Sequence, residues 1–250
     1  MSSILVHGAT PATARDDPSP AKAAPEQADL DFHFAEPVLT LGLPGGYGFN
    51  RSYGEVYDFL TDVLTLELSD FDGPVIAFDG SIRLTSWLDG VLGLEVSVSS
   101  TKSEYRDFVY ESDAPIEQET ELIQLPLTFS LKLYPTRRGR KIGRYAWVRS
   151  RFVPYLGGGI GATWYELEQK GDFVDFQTLE IFEDTFSSSG WSFSSHAFLG
   201  LDVNLTRTLG LVVEGRYHWA RADLSGSFIG FDPIRLGGPR VMVGFSWTAR

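Results

Sequence analysis

The chain has 250 residues, 43% of them hydrophobic, and a formal net charge of -12. Its length suits one all-β barrel with long loops, and its acidic balance argues against nucleic-acid binding. Cysteine is absent, which excludes disulfides, thiolate catalysis and cysteine-based zinc sites. No apolar run approaches the ~18 residues of a membrane-spanning helix, which excludes a helical membrane protein.

The first residues are predicted to lie outside the folded domain. Residues 1–14 contain a short apolar stretch and the pair Ala12-x-Ala14, which has the small-residue form of a signal-peptidase site. We interpret them as the remnant of a signal peptide, with an ordinary unstructured start as the alternative. Residues 15–36 are rich in proline, alanine and acids, which is typical of a disordered leader. Residues 37–250 form the predicted domain.

This domain alternates between apolar and polar side chains with the period of two of a half-buried β-strand. The pattern is clearest at residues 191–205 and 209–220, two stretches joined by a short turn. Strands of this length exceed the usual five or six residues and can cross a bilayer at a tilt. The predicted strands are residues 37–49, 75–85, 92–98, 121–134, 151–166, 191–205, 209–220 and 236–248.

The tryptophans give an independent indication of a membrane. Three fall at the outer ends of predicted strands and three at inner ends or turns, with none in the middle. Two aromatic girdles at the membrane–water boundaries produce this distribution, whereas a soluble core would more often place tryptophan in mid-strand. The predicted outer girdle is Trp164, Trp191 and Trp219, and the predicted inner girdle is Trp87, Trp147 and Trp247.

The connections differ between the two ends of the strands. Residues 50–72, 104–119 and 166–184 form long, acidic connections at the predicted outer end. The inner connections are short except for residues 135–150, which are strongly basic. Long loops on one side and short turns on the other are typical of outer-membrane barrels. We interpret the basic segment as a solvated turn, with contact to anionic phospholipid as the alternative.

Four short segments carry a resemblance to a known family. They are Pro154-Tyr155-Leu156-Gly157-Gly158-Gly159-Ile160-Gly161, Gly200-Leu201-Asp202, Glu214-Gly215-Arg216-Tyr217 and Gly237-Gly238-Pro239-Arg240-Val241-Met242-Val243-Gly244-Phe245-Ser246-Trp247. On these residues, positions 37–250 resemble small outer-membrane β-barrel proteins of the OmpA/OmpX type.

The resemblance implies an all-β fold: an eight-stranded antiparallel transmembrane β-barrel, built as an up-and-down meander, in the outer membrane of a Gram-negative cell envelope. It names a porin-like fold rather than an activity. One departure is at the end of the sequence. Such proteins often finish on an aromatic residue that is recognised during membrane assembly, whereas Trp247 is followed here by Thr248-Ala249-Arg250.

The polar face of the strands is assigned to the lumen. An eight-stranded barrel is just wide enough for side chains to fill, and charges of both signs there are expected to pair. Glu214, Arg216, Asp202 and Arg240 are predicted to join one network. The complete predicted lumen set is Asp79, Arg83, Glu95, Lys132, Arg151, His196, Asp202, Glu214, Arg216, His218 and Arg240.

Two other classes of protein stay open as alternatives. Some eight-stranded outer-membrane barrels modify lipid A, and the group Ser194, Ser195, His196, Glu214 and His218 contains the residue types of a Ser-His-acid site. Alternation points the two histidines into the lumen and Ser195 away from His196, which disfavours catalysis. No cofactor or metal site is predicted. A soluble lipocalin-like barrel with an apolar interior is the other alternative, and the tryptophan girdles disfavour it.

The sequence therefore predicts a non-enzymatic integral outer-membrane barrel with a charge-plugged lumen. A structural, adhesive or assembly-anchoring role would use its acidic outer loops, with outer-membrane lipid as its surroundings and no nucleic acid as partner. Residues 166–190 are more apolar than a solvated loop requires, and they either contact a protein partner or form a hairpin that extends the strands beyond the membrane. The candidate contact residues are Phe173, Phe176, Phe182 and Phe186.

Overall fold

A computed structural model describes residues 36–51, 53–143 and 146–249, and the predictions for residues 1–14 and 15–35 lie outside them. Eight long strands close into an antiparallel barrel in the ring order β1-β10-β9-β8-β7-β4-β3-β2, with β5 and β6 as a separate hairpin between β4 and β7. This ring confirms the predicted fold. The strands are β1 Leu39–Gly48, β2 Gly73–Arg83, β3 Leu88–Val109, β4 Pro115–Leu133, β5 Gly139–Ile142, β6 Ala146–Arg149, β7 Phe152–Val174, β8 Ile181–Asn204, β9 Leu209–Ala222 and β10 Ile234–Ala249.

Four strands continue well past their predicted outer ends. β7 and β8 stay paired from Phe152↔Val203 to Val174↔Ile181, so residues 166–190 form the hairpin that was one of the two predicted possibilities. Likewise, β3 and β4 occupy most of the predicted connection at residues 104–119. Continued pairing satisfies backbone N–H and C=O groups of the β7–β8 extension along its whole length, and those of the β3–β4 extension except where its register shifts between Glu104 and Val109.

The polarity of the two strand faces reverses near the Trp164↔Trp191 pair. Below it, Leu199 points outward and is 69% exposed, while His196 points into the lumen and is buried. Above it, Glu166 points outward, and Leu167 points inward and is completely buried. The lower part is thus apolar outside and polar inside, and the upper part, here called the head, has the usual arrangement of a water-soluble protein.

The interior of the head is filled by a hydrophobic core. A nine-residue helix, α1 (Glu55–Val63), buries Val56, Tyr57 and Leu60 against it. This spacing places the three side chains on one helical face, and the acids Glu55 and Asp58 in the first turn complement the positive end of the helix dipole. The other members include Tyr105, Ile116, Leu122, Tyr165, Leu167, Val174, Phe228 and Ile234.

Two single turns of 3-10 helix complete the head. They span Leu68–Phe71 and Gly226–Phe228, and each adds one buried aromatic side chain, Phe71 and Phe228, to the hydrophobic core. The acidic connection at residues 50–72, predicted as a loop, is therefore ordered by burial of its apolar side chains.

The inner end of the barrel is covered by the basic β5–β6 hairpin. Its Arg138 donates two hydrogen bonds of 2.8 Å to the carboxylate of Asp89 and one of 2.8 Å to the carbonyl of Thr85. Glu36 lies 3.9 Å from Arg138 and 2.9 Å from Arg83. Arg138 thus fixes this segment at the barrel rim, whereas Arg137, Arg140 and Lys141 are exposed to solvent, as predicted for a solvated turn.

Candidate functional site

The outward face of the lower barrel is an apolar belt. Contiguous apolar surface of this size is rare on soluble proteins and marks contact with a membrane or a partner. On a closed barrel every backbone group is paired within the sheet, so the belt can face hydrocarbon without exposed polar groups. Exposed members of the belt are Ile76, Phe78, Leu92, Leu94, Leu127, Phe129, Ile160, Phe193, Leu199, Val241, Val243 and Phe245.

Tryptophans lie at both edges of this belt. Trp164 and Trp191 are direct cross-strand partners at its outer edge, and Trp219 pairs with Ser195 on the neighbouring strands. At the inner edge Trp87 and Trp247 are about half exposed.

Trp147 does not belong to the predicted inner girdle. It lies on the β5–β6 hairpin and is only 6% exposed, lining a small cavity at the inner mouth of the barrel with Tyr134 and Val153. The prediction was wrong because β6 is not one of the membrane-spanning strands.

Arg216 is the centre of an ion-pair cluster in the lumen. Its guanidinium lies 2.8 Å from Glu214 Oε1, 3.2 Å from Glu95 Oε2 and 3.5 Å from Asp79 Oδ2. Glu95 also forms an ion pair with Arg240 of β10, whose side chain is almost completely buried. The cluster thus joins four strands through side chains that face one another across the lumen.

Asp202 belongs to a second cluster nearer the inner end. Its carboxylate pairs with Lys132 at 3.2 Å, and the ammonium of Lys132 lies 3.5 Å from the centre of the Tyr155 ring. The Tyr155 hydroxyl donates a 2.9 Å hydrogen bond to Glu214. Asp202 thus makes no direct ion pair with Arg216 or Arg240, and Lys132 and Tyr155 connect it to the cluster around Arg216.

Aromatic rings close the space between the clusters. Tyr155 and Phe198 are both buried, with ring centroids 6.1 Å apart. A Cβ atom at Gly157 would collide with the Phe198 ring and with a backbone carbonyl of β4. The glycine is required at this position because the ring lies directly on the backbone.

Two predicted lumen residues lie elsewhere. Arg83 pairs with Glu36 at the inner rim. Arg151 is exposed, and its guanidinium lies 5.6 Å from the Phe152 ring. Its assignment to the lumen was wrong because β7 begins at Phe152, one residue after the alternating pattern was taken to start.

His196 and His218 are both buried in the lumen, and each lies beside a hydroxyl group. His196 Nε2 lies 2.8 Å from Ser130 Oγ, and His218 Nε2 lies 3.2 Å from Thr163 Oγ1. Among the described residues, Nδ1 of His196 has no hydrogen-bond partner. In the part of the chain that the structure describes, no carboxylate therefore orients the His196 ring as a general base requires.

Sequence reasoning missed Ser130, because the contact joins β4 and β8 across the lumen. Nor does the described part of the chain hold a group of three or more His, Cys, Asp or Glu residues able to bind a metal ion.

The head contains a cavity of about 240 Å³ lined by seven phenylalanines. Phe173 is buried on its wall, with ring centroids 4.4 Å from Phe186 and 6.1 Å from Phe182. Phe176 is 55% exposed at the hairpin tip and contacts Phe108 at 5.8 Å. The polar members of the lining are Gln118, Gln169 and Ser227, and the phenylalanines are Phe59, Phe173, Phe176, Phe182, Phe186, Phe228 and Phe231.

A closed ring of eight strands, an apolar belt between tryptophan edges and a charged lumen together define the class. The protein is a small transmembrane β-barrel of the bacterial outer membrane. Residues 36–51, 53–143 and 146–249 include no helix long and apolar enough to cross a membrane.

No protein-family model and no curated protein matches this sequence. Among solved structures, the chain is similar to the outer membrane protein OprG from Pseudomonas aeruginosa, with 14% identity and a TM-score of 0.46 over 87% of this chain and 99% of that one. It is also similar to Neisserial surface protein A, with 10% identity and a TM-score of 0.44 over 84% and 97%. A third is Ail, the attachment invasion locus protein of Yersinia pestis, with 10% identity and a TM-score of 0.43 over 84% and 99%.

Proposed function

We propose that the protein is a non-enzymatic membrane anchor whose head makes an adhesive or assembly contact with a protein partner. The observation that carries this proposal is the phenylalanine-lined cavity, which lies in the head and has exposed apolar side chains around it. Phe59, Phe176 and Phe182 are each more than 40% exposed. Protein interfaces concentrate binding energy where an apolar side chain of one partner fills a pocket of the other.

The surroundings of the cavity favour a basic partner. The exposed acids Asp58 and Asp62 lie on α1, and Glu180, Glu183 and Asp184 lie beside the tip of the β7–β8 hairpin. Acidic residues around an apolar pocket attract a segment of opposite charge and repel an acidic one, nucleic acid included. The partner segment would therefore carry an apolar anchor side chain flanked by lysine or arginine.

The lumen supports an anchoring role and not a transport role. Tyr155, Phe198, Arg216 and Arg240 are buried and engage one another or the lumen acids. An eight-stranded barrel filled in this way leaves no continuous water column. We expect no stable ion conductance in planar bilayers, and steady openings of porin size would contradict a plugged lumen.

The alternatives have less support. Lipid A modification needs a catalytic group at the lipid-facing surface, whereas His196 and His218 are buried in the lumen. A lipocalin-like ligand would need an apolar lumen at membrane level, where Arg216, Glu95 and Arg240 lie instead.

Site-specific photo-cross-linking in native outer membranes tests the proposal. A photoreactive phenylalanine analogue replaces Phe176 at the cavity and, as a matched control, Phe129 on the apolar belt. We expect a discrete protein adduct from position 176 only. Its cross-linked peptide should contain an apolar residue flanked by basic ones, and raised salt should reduce its yield.

Two results would contradict a protein contact. Lipid adducts alone at position 176 would mean that the tip rests on the membrane. The same protein adducts at positions 176 and 129 would mean that cross-linking reports crowding and not recognition. Heat-modifiable gel mobility verifies that both variants are folded.

A further inference from the structure

Another cavity lies on the outside of the barrel, at the outer edge of the apolar belt. It measures about 520 Å³ and is formed by β8, β9, β10 and the segment that follows β1. This cavity is separate from the phenylalanine cavity, and nothing in the proposed contact with a protein partner depends on it. Three arginines, Arg51, Arg221 and Arg235, line one part, and Phe193, Tyr217 and Trp219 line another.

Arg51, Arg221 and Arg235 bring three positive charges to one cavity on a protein of net charge -12. Arg221 and Arg235 are direct cross-strand partners on β9 and β10, and like charges in that position destabilise a sheet. Arg51 is held beside them, because its backbone N–H donates a 2.8 Å hydrogen bond to the carbonyl of Gly237. Within the described residues, none of the three lies within ion-pair distance of a carboxylate.

The depth of the arginines matches a lipid headgroup. Arg221 is the next outward-facing residue after Trp219 on β9, which places it about 7 Å further along the strand. The headgroup layer on each side of a bilayer is about 5–7 Å thick. Because Trp219 lies at the edge of the apolar belt, the guanidinium groups of Arg221 and of its cross-strand partner Arg235 lie in this layer.

The floor of the cavity suits an acyl chain. Phe193 and Trp219 are 69% and 49% exposed. Together with Tyr217 they make the apolar part of the recess. Charged donors above an apolar recess are complementary to a molecule with an anionic head and a hydrocarbon tail.

We propose that this cavity binds one phosphate-bearing lipid of the outer leaflet. The phosphate accepts hydrogen bonds from the guanidinium groups of Arg221 and Arg235, which present planar pairs of donors that match phosphate oxygens. Arg51 adds positive charge from the neighbouring segment. The bound anion removes the repulsion between Arg221 and Arg235, so the lipid also stabilises the outer end of β9 and β10.

Native mass spectrometry of the detergent-solubilised protein tests this site. The probes are phosphatidic acid, which carries a phosphomonoester, phosphatidylcholine, which carries no net charge, and inorganic phosphate. We expect a one-to-one adduct with phosphatidic acid that survives gentle activation. In the Arg221→Gln/Arg235→Gln variant its affinity should fall about tenfold or more, since hydrogen bonds between charged groups are lost.

The matched control is Lys102→Gln/Lys170→Gln, which removes the same charge from exposed outward positions of β3 and β7. This variant should bind phosphatidic acid as the wild type does, and Trp219→Ala should weaken the lipid but not inorganic phosphate. An equal loss of phosphatidic acid affinity in this control would mean that the lipid is attracted by the overall charge of the protein and not by a specific site. Equal competition by inorganic phosphate would mean a soluble-anion site, and retention of both lipids unchanged by Arg221→Gln/Arg235→Gln would mean a purely apolar contact.

Discussion

The membrane-level barrel and the head are built from the same strands but have opposite polarity. On β8, Leu199 faces lipid and His196 faces the lumen, whereas on β7 above the tryptophan edge Glu168 faces water and Leu167 faces the core. A period of two distinguishes two faces of a strand but does not say which one is inside. The surrounding solvent decides that, and this chain passes from lipid to water along single unbroken strands.

The two interiors are therefore stabilised by different forces. The head gains from removing apolar side chains from water. The lower barrel cannot gain in this way on its lipid side, and its lumen depends on complete pairing of buried charges, which are costly when a partner is removed. Damage to the lumen should affect the whole barrel, and damage to the head should remain local.

Removing a lumen carboxylate should have the largest effect. Glu95 pairs with both Arg216 and Arg240, so Glu95→Ala leaves buried positive charge uncompensated and should lower the free energy of unfolding by about 3–5 kcal/mol. Urea unfolding in micelles, followed by tryptophan fluorescence, measures it. Glu117→Ala, on an exposed outward position of the head, should stay within about 0.5 kcal/mol. Equal effects would show that the lumen charges are not coupled.

Truncation of a side chain in the hydrophobic core of the head should lower the free energy of unfolding by a similar amount, but only the head should be affected. Leu60 is 1% exposed on α1, and Leu60→Ala should cost about 2–5 kcal/mol through lost burial and the space left behind. Limited proteolysis of residues 50–72 should accelerate, while the heat-modifiable gel mobility of the barrel stays unchanged. Asp62→Ala, exposed on the same helix, is the control. Loss of the barrel's gel mobility as well would mean that the two regions unfold together.

Substitution by arginine at two outward positions of β8, one in the membrane-level barrel and one in the head, should distinguish contact with lipid from contact with water. Leu199→Arg places a charge against lipid and should cost about 2–4 kcal/mol near the midplane. Thr185→Arg lies on the outward face of the same strand in the head and should change stability by less than about 0.5 kcal/mol. Refolding into vesicles at a series of urea concentrations compares them. Equal tolerance of both would place Leu199 outside the bilayer.

Alternation in the sequence was sufficient to predict the eight strands and the outward positions of residues such as Leu199 and Val241. It was also sufficient for Trp191 and Trp219, because their place in a strand follows from counting residues. It could not predict that Asp202 pairs with Lys132, since partners across a lumen depend on how the strands are staggered around the barrel. The contact of Ser130 with His196 was missed for the same reason.

The head was less accessible to this reasoning. The apolar positions 56, 57, 60 and 64 have helical spacing, a signal that could have identified α1 within a connection described only by its acids. The burial of Trp147 had no such signal, because it depends on the β5–β6 hairpin folding against the inner rim. The reversal of polarity along β7 could be read from the sequence, because Tyr165 and Leu167 continue the inward face to which Gly157 belongs. Its interpretation required knowledge of where the membrane ends.

The smallest predicted effect is a pH dependence confined to the head. The Tyr110 hydroxyl donates a 2.6 Å hydrogen bond to Asp172 Oδ2, and this bond to a carboxylate raises the pKa of Tyr110 above its ordinary value of 10.0. The folded state holds the Tyr110 proton more tightly than the unfolded state does. The contribution of this hydrogen bond to stability is therefore complete below the ordinary tyrosine pKa, and it is lost as the pH rises through the raised pKa of Tyr110. Tyrosinate absorbance should therefore show a late-titrating group whose midpoint falls in Asp172→Asn. After correction for the base-catalysed rise in intrinsic exchange, amide protection at the β3–β4 tip should fall at alkaline pH in the wild type, while protection in the membrane-level strands stays the same. An unaltered titration in Asp172→Asn would remove the hydrogen bond as its cause.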